Sequence, residues 1–137
     1  MKGNKAPQGS LVLRTLAMPA DTNPAGDIFG GWIMAQMDIA GGIMARELTG
    51  TRIVTVAVES IHFIKPVRVG DVVCCYGDVT RIGTTSVTIS LEVWVKPTLN
   101  TPGSTKEKLQ VTKAAFTYVS VDDESNKLVI QRKKDVD

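Results

Sequence analysis

Residues 21–42 read DTNPAGDIFGGWIMAQMDIAGG and place turn-forming residues and a glycine pair directly before an apolar run. From Gly30 onward, apolar or small residues recur at three- and four-residue spacings, at Ile33, Met37, Gly41, Met44 and Leu48. This period predicts one long helix over residues 30–48, about 28 Å in length at about 1.5 Å per residue. The small residues of this run lower its intrinsic helicity but allow a neighbouring sheet to approach closely.

Strand-like segments lie on both sides of the predicted helix. In residues 11–18, apolar and polar side chains alternate well enough to predict a short strand that ends at Pro19. Four further strands are predicted at residues 52–64, 71–82, 85–96 and 110–121. In the segment 85–96, the aliphatic residues from Val87 to Val95 occupy one face, and polar residues such as Glu92 occupy the other, so we expect one face in the core and one in solvent. A short turn at residues 82–85 and a polar loop at 98–108 make the late strands antiparallel.

These elements predict an α+β fold in which a curved antiparallel sheet surrounds one central helix. We expect a single domain over residues 1–137, with residues 1–10 and 122–137 as flexible ends. One helix covers only part of such a sheet. Pairing of two subunits along a sheet edge would protect the exposed strand backbone, so at least a dimer is expected.

Composition and charge narrow the class of protein. The chain is 43% hydrophobic and 22% charged, which is typical of a packed globular domain. It contains no apolar stretch long enough for a membrane span and no signal-peptide pattern at its start, so we expect a cytoplasmic protein without a membrane partner. A net charge of +2 is too small to indicate nucleic-acid binding, although it is compatible with an anionic small ligand.

Few residues in this sequence are suited to metal or nucleophilic chemistry. His62 is the one histidine, and no CxxC or HExxH motif is present, so no metal and no cofactor are expected. His62 stands in a strand-like run with no catalytic motif around it, which favours a structural role. The adjacent Cys74 and Cys75 would point to opposite faces of a strand, and we interpret them as reduced, buried side chains that do not bridge each other.

Two features of the helix region could take part in catalysis. Gly30 and Gly31 at a helix start would leave backbone N–H groups free to bind a carbonyl oxygen that gains negative charge, although two glycines could equally serve only a tight turn. Asp38 falls between Met37 and Ile39, where an unpaired buried carboxylate is costly and a tuned one could act as a general base. The alternative is a surface or structural aspartate, paired for example with Arg46.

The runs LVLRTLAMPADTNPAGDIFGGWIMAQMDIAGGIMARE, VTVAVESIHFIKPVRVGDVVCCYG and TSVTISLEVWV closely resemble the bacterial YciA-type acyl-CoA thioesterases of the hotdog-fold superfamily. The resemblance covers about residues 11–121, and NPAGDIFGGW followed by QMD is its most specific part. It implies hydrolysis of acyl-CoA to a free acid and coenzyme A, with a homodimer that assembles to a homohexamer. It also implies that Asp38 is the catalytic carboxylate, that Asn23 belongs to the site, and that the two meet across the dimer.

The resemblance further implies that Gly30 and Gly31 polarise the thioester carbonyl through their backbone N–H groups. Whether Asp38 activates water or attacks the carbonyl itself stays open. For the coenzyme A phosphates, we predict Lys65 and Arg68 at a strand end, with the hydroxyl-rich turn Thr84, Thr85 and Ser86 as a second candidate. Other scattered cations are Arg52, Arg81, Lys96 and the tail residues 132–134. The acyl pocket is expected to depend on the packing of Trp32, Met34, Met37, Ile39 and Phe63.

Two competing functions use the same fold. A hotdog hydratase or dehydratase would need a histidine at the helix, whereas His62 is predicted on a strand. A non-catalytic module that binds or senses acyl-CoA would have no need of Asp38, and a DNA-acting sensor would need an added DNA-binding segment. Asp38 together with Asn23 therefore favours the hydrolase.

Overall fold

Five strands and one long helix make up residues 6–97 and 107–131, which are the residues that this computed structural model describes. All the predicted elements are confirmed, each with ends within two residues of the expected ones. In chain order they are β1 (Ser10–Leu16), α1 (Gly30–Thr49), β2 (Arg52–Phe63), β3 (Val72–Ile82), β4 (Ser86–Lys96) and β5 (Leu109–Val121). A single 3-10 turn at Pro19–Asp21 follows β1, where proline ends the strand.

The strands form one sheet in the order β1-β3-β4-β5-β2, and every neighbouring pair is antiparallel. The predicted tight turn between β3 and β4 is confirmed, because the Gly83 N–H donates to the Ser86 carbonyl at 2.7 Å. The longer loop expected between β4 and β5 lies mostly outside the described residues. This order leaves β1 and β2 as the two edge strands.

The helix packs against one face of the sheet and contacts all five strands, so the sheet must curve around it. Six positions of α1 are buried against the sheet: Ile33, Met37, Ala40, Gly41, Ala45 and Thr49. The aliphatic face of β4, from Val87 to Val95, is fully buried opposite them. The expected hotdog fold, an antiparallel sheet around one long helix, is therefore confirmed.

The helix begins and ends without side-chain caps. Phe29 precedes it in an extended conformation and supplies no capping hydrogen bond. At the other end, Gly50 has a φ of 67° and donates its N–H to the Arg46 carbonyl at 2.8 Å, which is a left-handed glycine cap. Neither α1 nor any other helix in the described part of the chain combines the length and apolar character needed to cross a membrane.

The outer face of β4 differs from the prediction. Glu92 was expected to face solvent, but it is only 1% exposed. The reason is a small cluster on the outer face of the sheet, where Trp94 packs with Cys74 and Tyr76. The Trp94 Nε1–H group donates to Glu92 Oε1 at 2.9 Å, so the indole both covers and binds the carboxylate.

The chain after β5 packs back onto the sheet. Residues 122–137 are expected from the sequence to be a flexible end; in the described part of this range, Leu128 N–H donates to the Ser120 carbonyl and Ile130 N–H to the Thr84 carbonyl, at 2.9 and 2.8 Å. These bonds pair the tail with β5 and with the β3–β4 turn, and Ile130 is buried. At the other end, Ser10 already belongs to β1. Residues 1–5 and 132–137, which include the cationic run 132–134, lie outside the described residues.

Two adjacent glycines of α1 provide a test of how closely the sheet approaches the helix. A Cβ atom on Gly41 would overlap the Tyr118 hydroxyl and lie 2.9 Å from Leu91 Cδ1, whereas one on Gly42 would meet only Ile53 Cδ1 at 3.7 Å. We expect Gly42→Ala to raise the free energy of unfolding by about 0.5–1 kcal/mol through helix propensity. Gly41→Ala should lower it by about 1–3 kcal/mol through overpacking.

Denaturant unfolding of the two variants and the native protein, at one protein concentration, measures the difference. Equal effects of the two substitutions would contradict the close approach at Gly41.

Candidate active site

Asp38 lies half-buried in α1 and is bound by hydroxyl groups from two strands. Its Oδ1 accepts hydrogen bonds from Thr55 Oγ1 at 2.7 Å and from the Tyr118 hydroxyl at 3.1 Å. The same Tyr118 hydroxyl is 3.1 Å from the main-chain oxygen of Asp38. Within residues 6–97 and 107–131, Asp38 makes no ion pair with Arg46, and its Oδ2 has no hydrogen-bond partner. One carboxylate oxygen is thus held and the other is available.

The strand register explains why these two hydroxyls meet at one oxygen. Thr55 of β2 pairs directly with Tyr118 of β5, so both side chains point to the helix side of the sheet. Tyr118 is fully buried, and its ring stacks on Phe116 with centroids 6.4 Å apart. Burial, and after it the charge of Asp38, raises the pKa of Tyr118 far above its ordinary value of 10.0. The phenol therefore keeps its proton and acts as a donor to Asp38.

The start of α1 carries free backbone donors beside a cavity. In the described part of the chain, the N–H groups of Gly30 and Gly31 have no acceptor. A Cβ atom on Gly30 would lie 3.2 Å from the Phe63 ring, so the glycine lets that ring cover the helix start. A cavity of about 320 Å³ opens here, and its lining is mostly apolar: Ile28, Gly30, Ile33, Phe63, Ile64, Lys65, Pro66 and Val67. The structure thus brings together three predicted site residues, Gly30, Phe63 and Lys65.

Asn23 organises the turn before the helix. Its Oδ1 accepts the N–H groups of Ala25 and Asp27 at 3.0 and 3.1 Å, and its own N–H donates to the Asp27 carbonyl at 2.7 Å. The side-chain NH₂ group has no acceptor among the described residues. Within one chain, no hydrogen bond joins Asn23 to Asp38, so the two predicted site residues are not brought together there.

The remaining predicted binding residues are spread over the fold. Arg68 is exposed in a turn where its N–H donates to Asp71 Oδ2 at 3.0 Å. The turn of Thr84, Thr85 and Ser86 is at the opposite end of the sheet from Lys65, because Ser86 pairs with Val119 and Phe63 with Thr112. Trp32 is half-buried and packs against the core.

His62 lies away from Asp38, and the two cysteines are buried. His62 is exposed and pairs with Lys113 on the outer face of the sheet, while its neighbour Phe63 faces the helix. Cys74 and Cys75 are both free and buried, on opposite faces as expected. Burial, and after it the neighbouring Cys74, raises the pKa of Cys75 to about 12. This thiol is not a nucleophile at neutral pH.

Sequence reasoning missed Thr55 and Tyr118, which bind Asp38 directly. Each stands in a run that reads simply as a strand, and their meeting depends on the pairing of β2 with β5, which the sequence does not specify. One feature of the sequence could have indicated that a group from the sheet reaches the helix near Asp38. Gly41 follows Asp38 by three residues on the buried side of a helix, where a glycine is destabilising unless a neighbouring group fills its space.

Comparisons with known proteins agree with the fold and point to one family. Residues 25–100 match the family model described as Thioesterase superfamily. The acyl-CoA thioester hydrolase YciA of Escherichia coli strain K12 is 57% identical over 121 residues, which cover 88% of this chain and 90% of that protein.

Two solved structures are also similar to this chain. The hexameric broad-specificity acyl-coenzyme A thioesterase HI0827 matches with a TM-score of 0.87 and 53% identity, over 94% of this chain and 86% of that one. The hexameric hotdog-fold thioesterase Cj0915 of Campylobacter jejuni matches with a TM-score of 0.83 and 43% identity, over 90% and 91% of the two chains.

The buried thiol makes stability depend on pH. Because the pKa of Cys75 is 9.0 ordinarily and about 12 in the folded protein, the unfolded chain loses this proton first as pH rises. The free energy of unfolding should therefore fall above pH 9, with a slope from this group approaching about 1.4 kcal/mol per pH unit. Denaturant unfolding between pH 8 and 10 measures the slope, and Cys75→Ala should flatten it. The same slope in the native protein and the variant would contradict this assignment.

Proposed function

This chain belongs to the thioesterase superfamily as a YciA-type acyl-CoA thioester hydrolase of hotdog fold, and we propose that Asp38 is the carboxylate that drives its hydrolysis reaction. The single observation that carries the proposal is the hydrogen bonding of this side chain. Thr55 and Tyr118 fix Oδ1, and Oδ2 has no partner among the described residues. A carboxylate held at one oxygen presents the other to water or to substrate in a defined direction.

The helix start supplies the complementary group. The unpaired N–H groups of Gly30 and Gly31 lie at the positive end of α1, where they could bind the thioester carbonyl oxygen as it gains negative charge. The adjacent cavity of about 320 Å³ supports this placement, because its apolar walls suit an acyl or pantetheine chain. Lys65 at its lining places a cation near the same opening.

Hydrolysis then needs no metal-bound or thiol nucleophile. In one route, Asp38 removes a proton from water as the water oxygen bonds to the carbonyl carbon. The carbon–sulfur bond then breaks, and the proton passes from Asp38 to the leaving sulfur, which releases coenzyme A and restores the carboxylate. In the other route, Asp38 itself bonds to the carbonyl carbon and releases coenzyme A, and water then hydrolyses the mixed anhydride. Both routes use the ionised carboxylate, and both stay open.

A second subunit would complete the site. Seven residues of helix separate Gly31 from Asp38, a rise of about 10 Å, which is too far for one thioester to contact both within one chain. We propose that Asp38 of one subunit faces the start of α1 in the partner subunit, together with the partner subunit's Asn23. The side-chain NH₂ group of Asn23 is free to donate.

The surface beside Asp38 fits such pairing. β2 is a 12-residue edge strand, and exposed apolar side chains lie along it and along the adjoining face of α1, at Val56, Val58, Ile39 and Ile43. Pairing of two β2 edges would continue the sheet across the dimer and cover these side chains. The solved thioesterases HI0827 and Cj0915 are hexameric, and we propose a hexamer of three such dimers for this chain.

We also propose which residues bind the coenzyme A part of the substrate. Lys65 and Arg68 are near one end of the sheet and would bind coenzyme A phosphates there, and the turn of Thr84, Thr85 and Ser86 could contribute only from another subunit. HI0827 has broad specificity, and we propose that this chain likewise acts on acyl chains of several lengths. We also propose a cytoplasmic location and a place in fatty acid metabolism, as the sequence resemblance implies.

The catalytic role of Asp38 is tested by coenzyme A release from a panel of short to long acyl-CoA substrates. Asp38→Asn preserves size and the hydrogen-bond acceptor at Oδ1 but removes the basic carboxylate. We expect turnover of the native protein and a loss of at least about 100-fold in kcat for the variant.

Glu47→Gln is the matched control, since it neutralises an exposed carboxylate of the same helix. Fold and oligomeric state are verified for each variant. Turnover by Asp38→Asn at the native rate would contradict the role of Asp38, and an inactive native protein that still binds acyl-CoA would indicate a binding module.

The proposed β2 pairing predicts a change of mass. Val56 is 54% exposed, so each subunit of Val56→Lys should still fold. In the proposed dimer, however, the substitution places charges in the subunit contact. We expect a smaller assembly by light scattering and a parallel loss of hydrolysis. Val129→Lys, at a residue that is 58% exposed on the tail, serves as the control. A native mass for Val56→Lys at micromolar concentration would exclude this edge as the interface.

A further inference from the structure

We propose that Tyr118 is a positioning residue for the hydrolysis reaction, and that Gly41 is a glycine in order to let the Tyr118 hydroxyl reach Asp38. The inference rests on the proposed function of Asp38. It adds to that function a residue of β5 that acts through its hydrogen bond to Asp38.

The contacts of Tyr118 support this role. Its hydroxyl is 3.1 Å from both Oδ1 and the main-chain oxygen of Asp38, so one donor group is placed against the helix backbone and the carboxylate together. Thr55 donates to the same Oδ1 at 2.7 Å from the neighbouring strand. With two donors on Oδ1, rotation of the carboxylate would break both bonds. The direction of Oδ2, which has no partner among the described residues, is thereby fixed as well.

The surroundings of the hydroxyl show that it occupies space left by a glycine. A Cβ atom at Gly41 would overlap the Tyr118 hydroxyl and lie 2.8 Å from its Cζ atom. Gly41 is buried in the middle of α1, where glycine lowers helix stability by about 1 kcal/mol relative to alanine. An added Cβ atom would meet the hydroxyl oxygen more closely than it would meet Tyr118 Cζ or Leu91 Cδ1. The pair of Gly41 and Tyr118 thus brings a phenol oxygen to Asp38.

The chemistry of the phenol fits positioning and not proton transfer. Burial and the charge of Asp38 both raise the pKa of Tyr118, so the hydroxyl stays protonated wherever Asp38 is ionised. Among the described residues, the groups that bind the carboxylate are Thr55 and Tyr118, and only Tyr118 is titratable. Tyr118 therefore stabilises and orients the carboxylate without exchanging a proton with it.

Tyr118→Phe removes the one oxygen and keeps the ring that stacks on Phe116. We expect kcat to fall on the order of 10-fold with KM little changed, because a charge-assisted hydrogen bond is lost from a group that acts in the chemical step. A role in packing alone would not lower kcat at constant KM in a variant of native fold.

Tyr76→Phe is the matched control. Tyr76 is the other tyrosine of the chain, and its hydroxyl accepts a hydrogen bond from Lys108 Nζ at 2.7 Å in the cluster on the outer face of the sheet. This substitution removes the same atom from a buried ring but leaves Asp38 untouched. Its kcat and KM should match those of the native protein.

The double variant Gly41→Ala/Tyr118→Phe separates positioning from packing. Gly41→Ala alone should lower both stability and kcat, since the added methyl group displaces the phenol. In the double variant, loss of the hydroxyl removes the closest overlap, so stability should partly recover while kcat stays low. Recovery of kcat together with stability would show that Tyr118 serves packing only and would overturn the inference.

A native kcat in Tyr118→Phe would also overturn it, while leaving the role of Asp38 in place if Asp38→Asn is inactive. An inactive native protein would instead count against the proposed function. In that case the ¹³C resonance of the Asp38 carboxyl group decides the contact: its chemical shift at pH 7 should differ in Tyr118→Phe from that in the native protein and in Tyr76→Phe. Identical chemical shifts in all three would overturn the inference.

Discussion

The close approach of the sheet to one helix sets the geometry of this protein. Small residues on the buried side of α1, at Ala40, Gly41 and Ala45, let β4 and β5 pack directly against the helix. Large residues at these positions would hold the sheet away from the helix, and a phenol on β5 could not then reach the helix backbone. The position of the candidate catalytic carboxylate therefore depends on Gly41, which lies three residues further along the helix and has no side chain.

The carboxylate of Asp38 is held by neutral donors. An adjacent cation would favour the charged form strongly and would also compete for the oxygen that must meet water or substrate. Hydroxyl groups from Thr55 and Tyr118 donate to one oxygen and fix the direction of the carboxylate. Their electrostatic effect on the carboxylate is smaller than that of a cation. In the proposed mechanism the two oxygens of one side chain have separate tasks, with orientation at Oδ1 and chemistry at Oδ2.

Most of the fold could be predicted from local patterns, and part of the site could not. The helix over residues 30–48 and the strand over 85–96 follow from apolar periods of 3.6 and 2, which depend only on nearby residues. Asp38 was identifiable because a carboxylate in an apolar helical run conflicts with burial. Its partner Tyr118 was not, because the hydrogen bond joins residues 80 positions apart through the register of β2 and β5. Glu92 was misplaced for a similar reason, since its cover comes from Trp94 and from the neighbouring strand.

The central claim is that Asp38 forms one hydrolytic site with the partner subunit's Asn23. Subunit mixing tests it most directly, with Asn23→Ala and Asp38→Asn as the two parents. Each parent should be nearly inactive alone. After joint unfolding and refolding in equal amounts, random pairing should restore about one quarter of the native activity, because half of the dimers are mixed and each mixed dimer has one site with both native residues. Activity no higher than that of the parents, in mixed dimers confirmed by mass, would contradict a site shared between subunits.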